Sequence, residues 1–336
     1  MIARVLYDRG KLRVARLLIW GLWTTVLAGP FSHSGYAQSF KDEVHIPVPS
    51  RPTRQNEREP TLKANVDLVL VNVTVTDPED RFVSSLRASD FSVLDGKHPQ
   101  QIRYFSLEDA PLSLAVVMDA SRSMRNNLEQ ARSAAMEFFR YSNPRDEFAV
   151  VTFADRPRLV ADFTDSPDDI QAALQPIEAD GFTALWDAIY VGIAEMRKAR
   201  YGKKALLVIS DGGDNRSRYT QDEIKSVLKE ADVQVYAVDI FERYPKTPEE
   251  KSGLLALDEV TSVTGGRVFL THDADELHRA VKQISEELRT QYVLGYSLGQ
   301  SARDGKWHKI KVTLNVPKSK NLRIYAKKGY YGPLDR

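Results

Sequence analysis

Between Leu114 and Thr290 the chain alternates apolar runs with amphipathic ones. LAVVMD, EFAVVTF, ALLVISD and VQVYAVDI are separated by NNLEQARSAAMEFFR, TALWDAIYVGIAEMRKA and QDEIKSVLKEA, and DADELHRAVKQISEELRTQ closes the series. No other feature constrains the fold as strongly. A strand that is apolar at nearly every position must be covered on both faces, and a parallel sheet with crossover helices on either side does this. The first amphipathic run supports the reading, since Leu128, Ala131, Ala135 and Phe138 recur at helical spacing. The sequence therefore predicts an α/β domain over residues 111–290, with a doubly wound, mostly parallel sheet.

The flanks have a different texture. VDLVLVNVTVTD (66–77) is rich in β-branched residues and stops at the turn signal DPED, and FSVLDGKHPQQIRYF (91–105) holds a strand, an Asp-Gly turn and a second strand. After Gln291, YVLGYSL, WHKIKVTLNV and NLRIYA are again strand-like. In the second of these Ile310, Val312, Leu314 and Val316 alternate with Lys309, Lys311, Thr313 and Asn315, which gives one buried face and one wet face. A sheet needs about three or more strands to stand alone, and neither flank supplies a two-layer structure unaided. The expectation is one β-sandwich built from residues 63–110 and 291–336, into which the α/β domain is inserted.

Ahead of the folded part, Arg4, Arg9, Lys11, Arg13 and Arg16 precede the apolar run LLIWGLWTTVLA and the small-residue stretch SGYAQ. This is the layout of a secretory signal peptide over residues 1–37, with cleavage after Ala37. The run is shorter than the roughly 20 residues of a spanning helix, so an uncleaved membrane anchor is the weaker alternative. Residues 38–62 are polar and proline-containing and read as a flexible linker. An exported protein, periplasmic or secreted to the cell envelope, is expected. With 47 basic and 46 acidic residues the chain offers no electrostatic footprint for nucleic acid. It has no Cys, which excludes disulfides, thiolate metal sites and Cys nucleophiles.

Ligands of an open parallel sheet bind beyond the carboxyl ends of its strands. Asp119 ends the run LAVVMD and Asp211 ends ALLVISD, so both carboxylates are expected at that edge. Ser121 and Ser123 lie in the loop after Asp119, spaced so that a turning backbone can point both hydroxyls toward it. Thr183, in DGFTALWDA, follows a Gly loop and opens a long helix. Two carboxylates and three hydroxyls make an all-oxygen set, the kind of shell taken by a hard divalent cation such as Mg²⁺.

These residues resemble a known family. DASRS (119–123) matches the Asp-x-Ser-x-Ser motif of the von Willebrand factor type A (VWA) domain, and the Thr of GFTAL and the Asp of VISDGGD follow in that family's order. The resemblance covers about residues 112–290 and implies a Rossmann-like fold with a metal-ion-dependent adhesion site. VTVTD before the domain and KKGYYGP after it resemble the flanks of exported bacterial proteins with related domains. The resemblance implies that Ser121, Ser123 and Thr183 touch Mg²⁺ or Mn²⁺ through their hydroxyls. Asp119 and Asp211 would act through hydrogen bonds or bridging waters, and an Asp or Glu of a protein partner would complete the shell. Few direct carboxylates leave the cation under-neutralised, which attracts an incoming acid. Arg122 stands where the family usually has a small residue, and two roles are open for it: shielding the metal or recruiting the acidic ligand.

Other residues read as structural. SDGGDN has turn chemistry, which makes Asp214 a loop residue rather than a sixth ligand. His272 and His278 are six apart, not at the i, i+4 spacing of a shared metal face. The resulting expectation is a non-enzymatic extracytoplasmic binding module. The alternatives are a metal-assisted hydrolase such as a phosphatase and a scaffold with an unused site. A further expectation concerns connectivity. The last helix, with Leu277, Val281, Ile284 and Leu288 on one face, runs straight into YVLGYSL, so ligation at the site is expected to reach the sandwich through Leu288 to Tyr292.

Overall fold

The computed structural model describes residues 68–107, 109–211, 213–240, 248–316 and 321–334. The expected signal segment and linker lie outside these residues. The amino-terminal flank supplies β1 (Leu68–Thr76), β2 (Phe91–Asp95), β3 (His98–Gln100) and β4 (Ile102–Ser106). The α/β part follows with β5 (Leu112–Asp119), α1 (Leu128–Tyr141), β6 (Glu147–Phe153), β7 (Pro157–Thr164), α2 (Pro167–Leu174) and α3 (Leu185–Glu195). It continues with β8 (Lys203–Ser210), α4 (Gln221–Glu230), β9 (Gln234–Ile240), α5 (Pro248–Thr264), β10 (Val268–Thr271) and α6 (Ala274–Arg289). The carboxyl-terminal flank adds β11 (Tyr292–Ser297), β12 (Trp307–Leu314), β13 (Arg323–Ala326) and β14 (Gly329–Tyr331).

The expected fold class is the one observed. A six-stranded sheet has the order β10-β9-β8-β5-β6-β7, parallel except for the edge strand β7. Every residue of β5 is buried, as its unbroken apolar run requires. Leu114, Val116 and Met118 face a core with α1 and α6, while Ala115 and Val117 face the core beneath α3, α4 and α5. The predicted stripe of α6, Leu277, Val281, Ile284 and Leu288, is fully buried in the first of these. Burying each such side chain contributes about 1.5–3 kcal/mol, which explains why so charged a helix stays on the sheet.

The two flanks interleave in a sandwich of four-stranded sheets, β13-β1-β11-β4 and β14-β12-β2-β3. Each sheet takes two strands from either end of the sequence, and all pairings are antiparallel. Its core holds Val69, Val71, Val73 and Val75 of β1 against Phe91, Val93, Tyr292, Leu294 and Ile310. The second strand expected in HPQQIRYF divides at Gln101: β3 pairs with β2, whereas β4 crosses to the other sheet and pairs with β11.

The sandwich meets the amino-terminal edge of the large sheet. There Arg267, just ahead of β10, is gripped by Asp80, whose two carboxylate oxygens lie 2.7 and 2.6 Å from Nη1. The same guanidinium reaches the buried Glu287 of α6 and lies over the rings of Phe269 and Tyr325. Burial alone would lower the Arg267 guanidinium, but Glu287 and Asp80 overcome this and hold it above its ordinary value. Asp80 has φ +65°, a left-handed conformation, and its carbonyl accepts Gln283 Nε2–H at 2.7 Å. A non-glycine residue persists there when its surroundings over-determine it.

Candidate metal centre

The chain leaves β5 for β6 on one side, and after β7 it returns to β8 on the other side of β5. This reversal opens the sheet at the carboxyl ends of β5 and β8, where crossover connections diverge and leave a crevice. Asp119 and the Ser210–Asp211 pair stand at that point. Asp119 is fully buried, with Oδ1 accepting the Ser121 N–H at 2.8 Å and Oδ2 accepting the Ser210 hydroxyl at 2.6 Å. The first bond turns the backbone out of the strand. A short 3-10 helix over Arg122–Asn126 then leads to α1. Ser121 and Ser123 consequently face the same way, with their hydroxyl oxygens 2.9 Å apart.

Thr183 comes from a different loop, which is laced to the first. Asp180 N–H donates to the Ala120 carbonyl and Arg122 N–H to that of Gly181, at 3.0 and 3.1 Å. Gly181 has φ +92°, and a Cβ there would sit 3.1 Å from the Asp155 carboxylate, which accepts the Phe182 N–H. Only glycine makes this turn without strain. Thr183 is tied in turn to the loop after β8: its N–H donates to Asn215 Oδ1 at 2.9 Å, and its carbonyl accepts the N–H groups of Asn215 and Arg216. Asp214 accepts Leu185 N–H at the start of α3 and the Ser217 hydroxyl, which gives it the loop role expected of it.

Three loops thus hold Asp119, Ser121, Ser123, Thr183 and Asp211 at one edge. Asp119, Ser121 and Thr183 form a buried floor, Asp211 is half-buried, and Ser123 is exposed on the open side. Burial and, after it, the negative charge of Asp211 push the Asp119 carboxyl up to about 7, against the hydrogen bonds from Ser210 and Ser121. Among the described residues Asp119 makes no ion pair. Two crowded carboxylates with oxygen donors around them fit a hard divalent cation, which would neutralise them and find neither nitrogen nor sulfur to favour a softer metal. No group of three or more His, Cys, Asp or Glu side chains among the described residues is arranged to hold a metal, so such an ion would depend on the hydroxyls. When bound, a cation of this kind supplies an open coordination position and positive charge.

Residues 114–213 match the family model of the von Willebrand factor type A domain, a span that includes all five residues. Over that span the chain is similar to that family. A search of curated proteins finds no match. Among solved structures, the type A protein from Catenulispora acidiphila is 11% identical, with 81% of this chain and 76% of that one covered and a TM-score of 0.47. BatB from Bacteroides thetaiotaomicron is 16% identical over 52% of this chain and 98% of its own, with a TM-score of 0.43. Proximal thread matrix protein 1 from the mussel byssus, with a zinc-occupied MIDAS motif, is 23% identical over 58% of this chain and 49% of its own, with a TM-score of 0.44.

Within the matched residues, Arg122 points across the surface to Asp180, with Nη2 at 2.9 Å from the carboxylate. Sequence reasoning passed over Ser210 and Asn215. Ser210 had a signal, since it is a hydroxyl directly before Asp211 at a strand end. Asn215 had none, because its bond to Thr183 depends on how two distant loops meet.

Proposed function

We propose that this protein is exported and acts by binding rather than catalysis, holding a protein partner through a divalent cation at its type A domain. Ser121, Ser123 and Thr183 hold the cation, which is Mg²⁺ or Mn²⁺, while Asp119 and Asp211 act through hydrogen bonds or water, and an Asp or Glu of the partner completes the shell. The observation that carries this reading is a crowded carboxylate pair, with Asp119 buried without a counter-cation among the described residues, beside the Ser121 and Ser123 hydroxyl oxygens 2.9 Å apart and a Thr183 loop hydrogen-bonded to theirs. A cation held mainly by neutral oxygens keeps most of its charge for an incoming acid. The export part of the proposal is supported by the basic and apolar layout of residues 1–37. Among the described residues no helix is long and apolar enough to cross a membrane.

Calorimetric titration of Mg²⁺ and Mn²⁺ into the folded protein, beside Asp119→Ala, tests the centre. Saturable binding that the variant loses is expected. A folded wild type that binds neither ion would refute the metal-dependent reading.

A further inference from the structure

The rim of the candidate centre carries arginines whose arrangement bears on the partner. On one side, Arg122 and Arg125 share a single carboxylate, that of Asp180, at 2.9 and 3.9 Å, so one positive charge of the three-residue cluster is left over. Across the hydroxyl set, Arg216 lies with its guanidinium carbon 5.6 Å from the centre of the Phe182 ring and makes no ion pair among the described residues. Phe182 immediately precedes Thr183 and is 57% exposed, the most exposed aromatic of this face. A large apolar ring left in water at the lip of a binding centre is a contact waiting for a surface. An arginine drawn to the face of such a ring is partly pre-positioned and loses less freedom when its N–H groups take up a carboxylate.

Of the acids in the same loops Asp155 and Asp180 are exposed, while Asp187 is largely covered. Asp155 accepts Phe182 N–H, and Asp187 accepts the N–H groups of Arg218 and Tyr219. Three guanidinium groups, those of Arg122, Arg125 and Arg216, thus stand at the rim beside two exposed carboxylates, those of Asp155 and Asp180. With the floor neutralised by a cation, one positive charge is left over at this rim, and Arg216 makes no ion pair among the described residues.

We propose that the partner segment bears a second carboxylate beside the one that completes the metal shell, and that Arg216, held on Phe182, takes it. This deepens the metal-dependent reading proposed above and rests on it. Arg122 and Arg125, on the other side, provide a weaker general attraction because Asp180 already engages both. A charge-assisted pair of this type is about twice as strong as a neutral hydrogen bond, and Arg is suited to binding a carboxylate through two parallel bonds.

The test uses the full chain and surface-bound Gly/Ser peptides of fifteen residues, in Mg²⁺ and in EDTA. One peptide carries a single central Glu, a series carries two Glu separated by one to six residues, and the controls carry Gln. For the wild type in Mg²⁺, the best two-acid peptide is expected to bind roughly tenfold tighter than the one-acid peptide, about 1.4 kcal/mol. That ratio should fall to about one in Arg216→Ala, fall partway in Phe182→Ala, and recover in part in Arg216→Lys. Binding as a ratio to the one-acid peptide corrects for any general loss in a variant. Mg²⁺-dependent capture of the one-acid peptide with no advantage for any two-acid spacing would overturn the second carboxylate and leave the metal-dependent reading standing. An advantage that persists in Arg216→Ala would overturn the role of Arg216. Failure of every peptide to bind in Mg²⁺ would sink both the reading and the inference that rests on it.

Discussion

The large sheet carries buried carboxylates at both of its edges, and they are handled in opposite ways. At the amino-terminal edge Glu287 and Asp80 close on Arg267, so the protein brings its own counter-charge. At the carboxyl-terminal edge Asp119 is crowded by Asp211, and the groups that bond to it are hydroxyls and a backbone N–H. Both arrangements are costly to desolvate. One is completed by the fold itself and joins the sandwich to α6 and β10. The other, on the function proposed above, is completed from outside. A buried carboxylate therefore marks a binding centre only when the protein leaves its charge unanswered.

The comparison can be broken most forcefully at Arg267. Arg267→Ala strips the buried Glu287 of its cationic partner and leaves Asp80 only the more exposed Arg323, and should cost about 3–5 kcal/mol in urea unfolding. A loss below about 1 kcal/mol would show that the cluster is dispensable. At the other edge, Asp119→Asn removes a charge that has no cationic partner. In EDTA its stability should stay within about 1 kcal/mol of wild type, since an amide of the same shape replaces a carboxylate that burial already disfavours. Excess Mg²⁺ should separate the two. At one hundred times the dissociation constant a bound ion stabilises by about 2.7 kcal/mol, which the wild type should gain in thermal unfolding and the variant should not. The smallest effect is predicted for Asp180→Asn. Asp180 and Arg122 are about 70% exposed, and surface pairs of this sort contribute about 0–1 kcal/mol. A larger loss would mean that the Asp180 loop, not its charge, is being disturbed.

How much of this was legible depends on how far apart the informative residues lie. The unbroken apolar strands announced a sheet covered on both faces, and the ordered spacing of DASRS, GFTAL and VISDGGD pointed to one edge of it. The stripe of α6 was readable because Leu277, Val281, Ile284 and Leu288 repeat within one helix. By contrast β7 was not foreseen. It is an antiparallel edge strand with most residues half-buried and a Pro at its start, so it lacks the continuous apolar run of its neighbours. The crossing at Gln101 was equally hidden, since a strand that changes sheets keeps the same composition on both sides of the break. The Arg267 cluster had no sequence signal at all: Asp80, Arg267 and Glu287 meet only after the sandwich has closed around the inserted domain. Long-range charge pairing of this kind has no period and no motif.

The insertion has a mechanical consequence. The chain enters the inserted α/β domain from β4 and leaves it into β11, and these two strands are neighbours in one sheet of the sandwich. Both links lie at the amino-terminal edge, whereas the candidate centre lies at the far ends of β5 and β8, a strand length of about 25 Å away. A partner can reach the centre without meeting the sandwich. The ladders joining β5 to β6 and β8 would share a force along the axis of β5 over their whole length instead of opening one rung at a time.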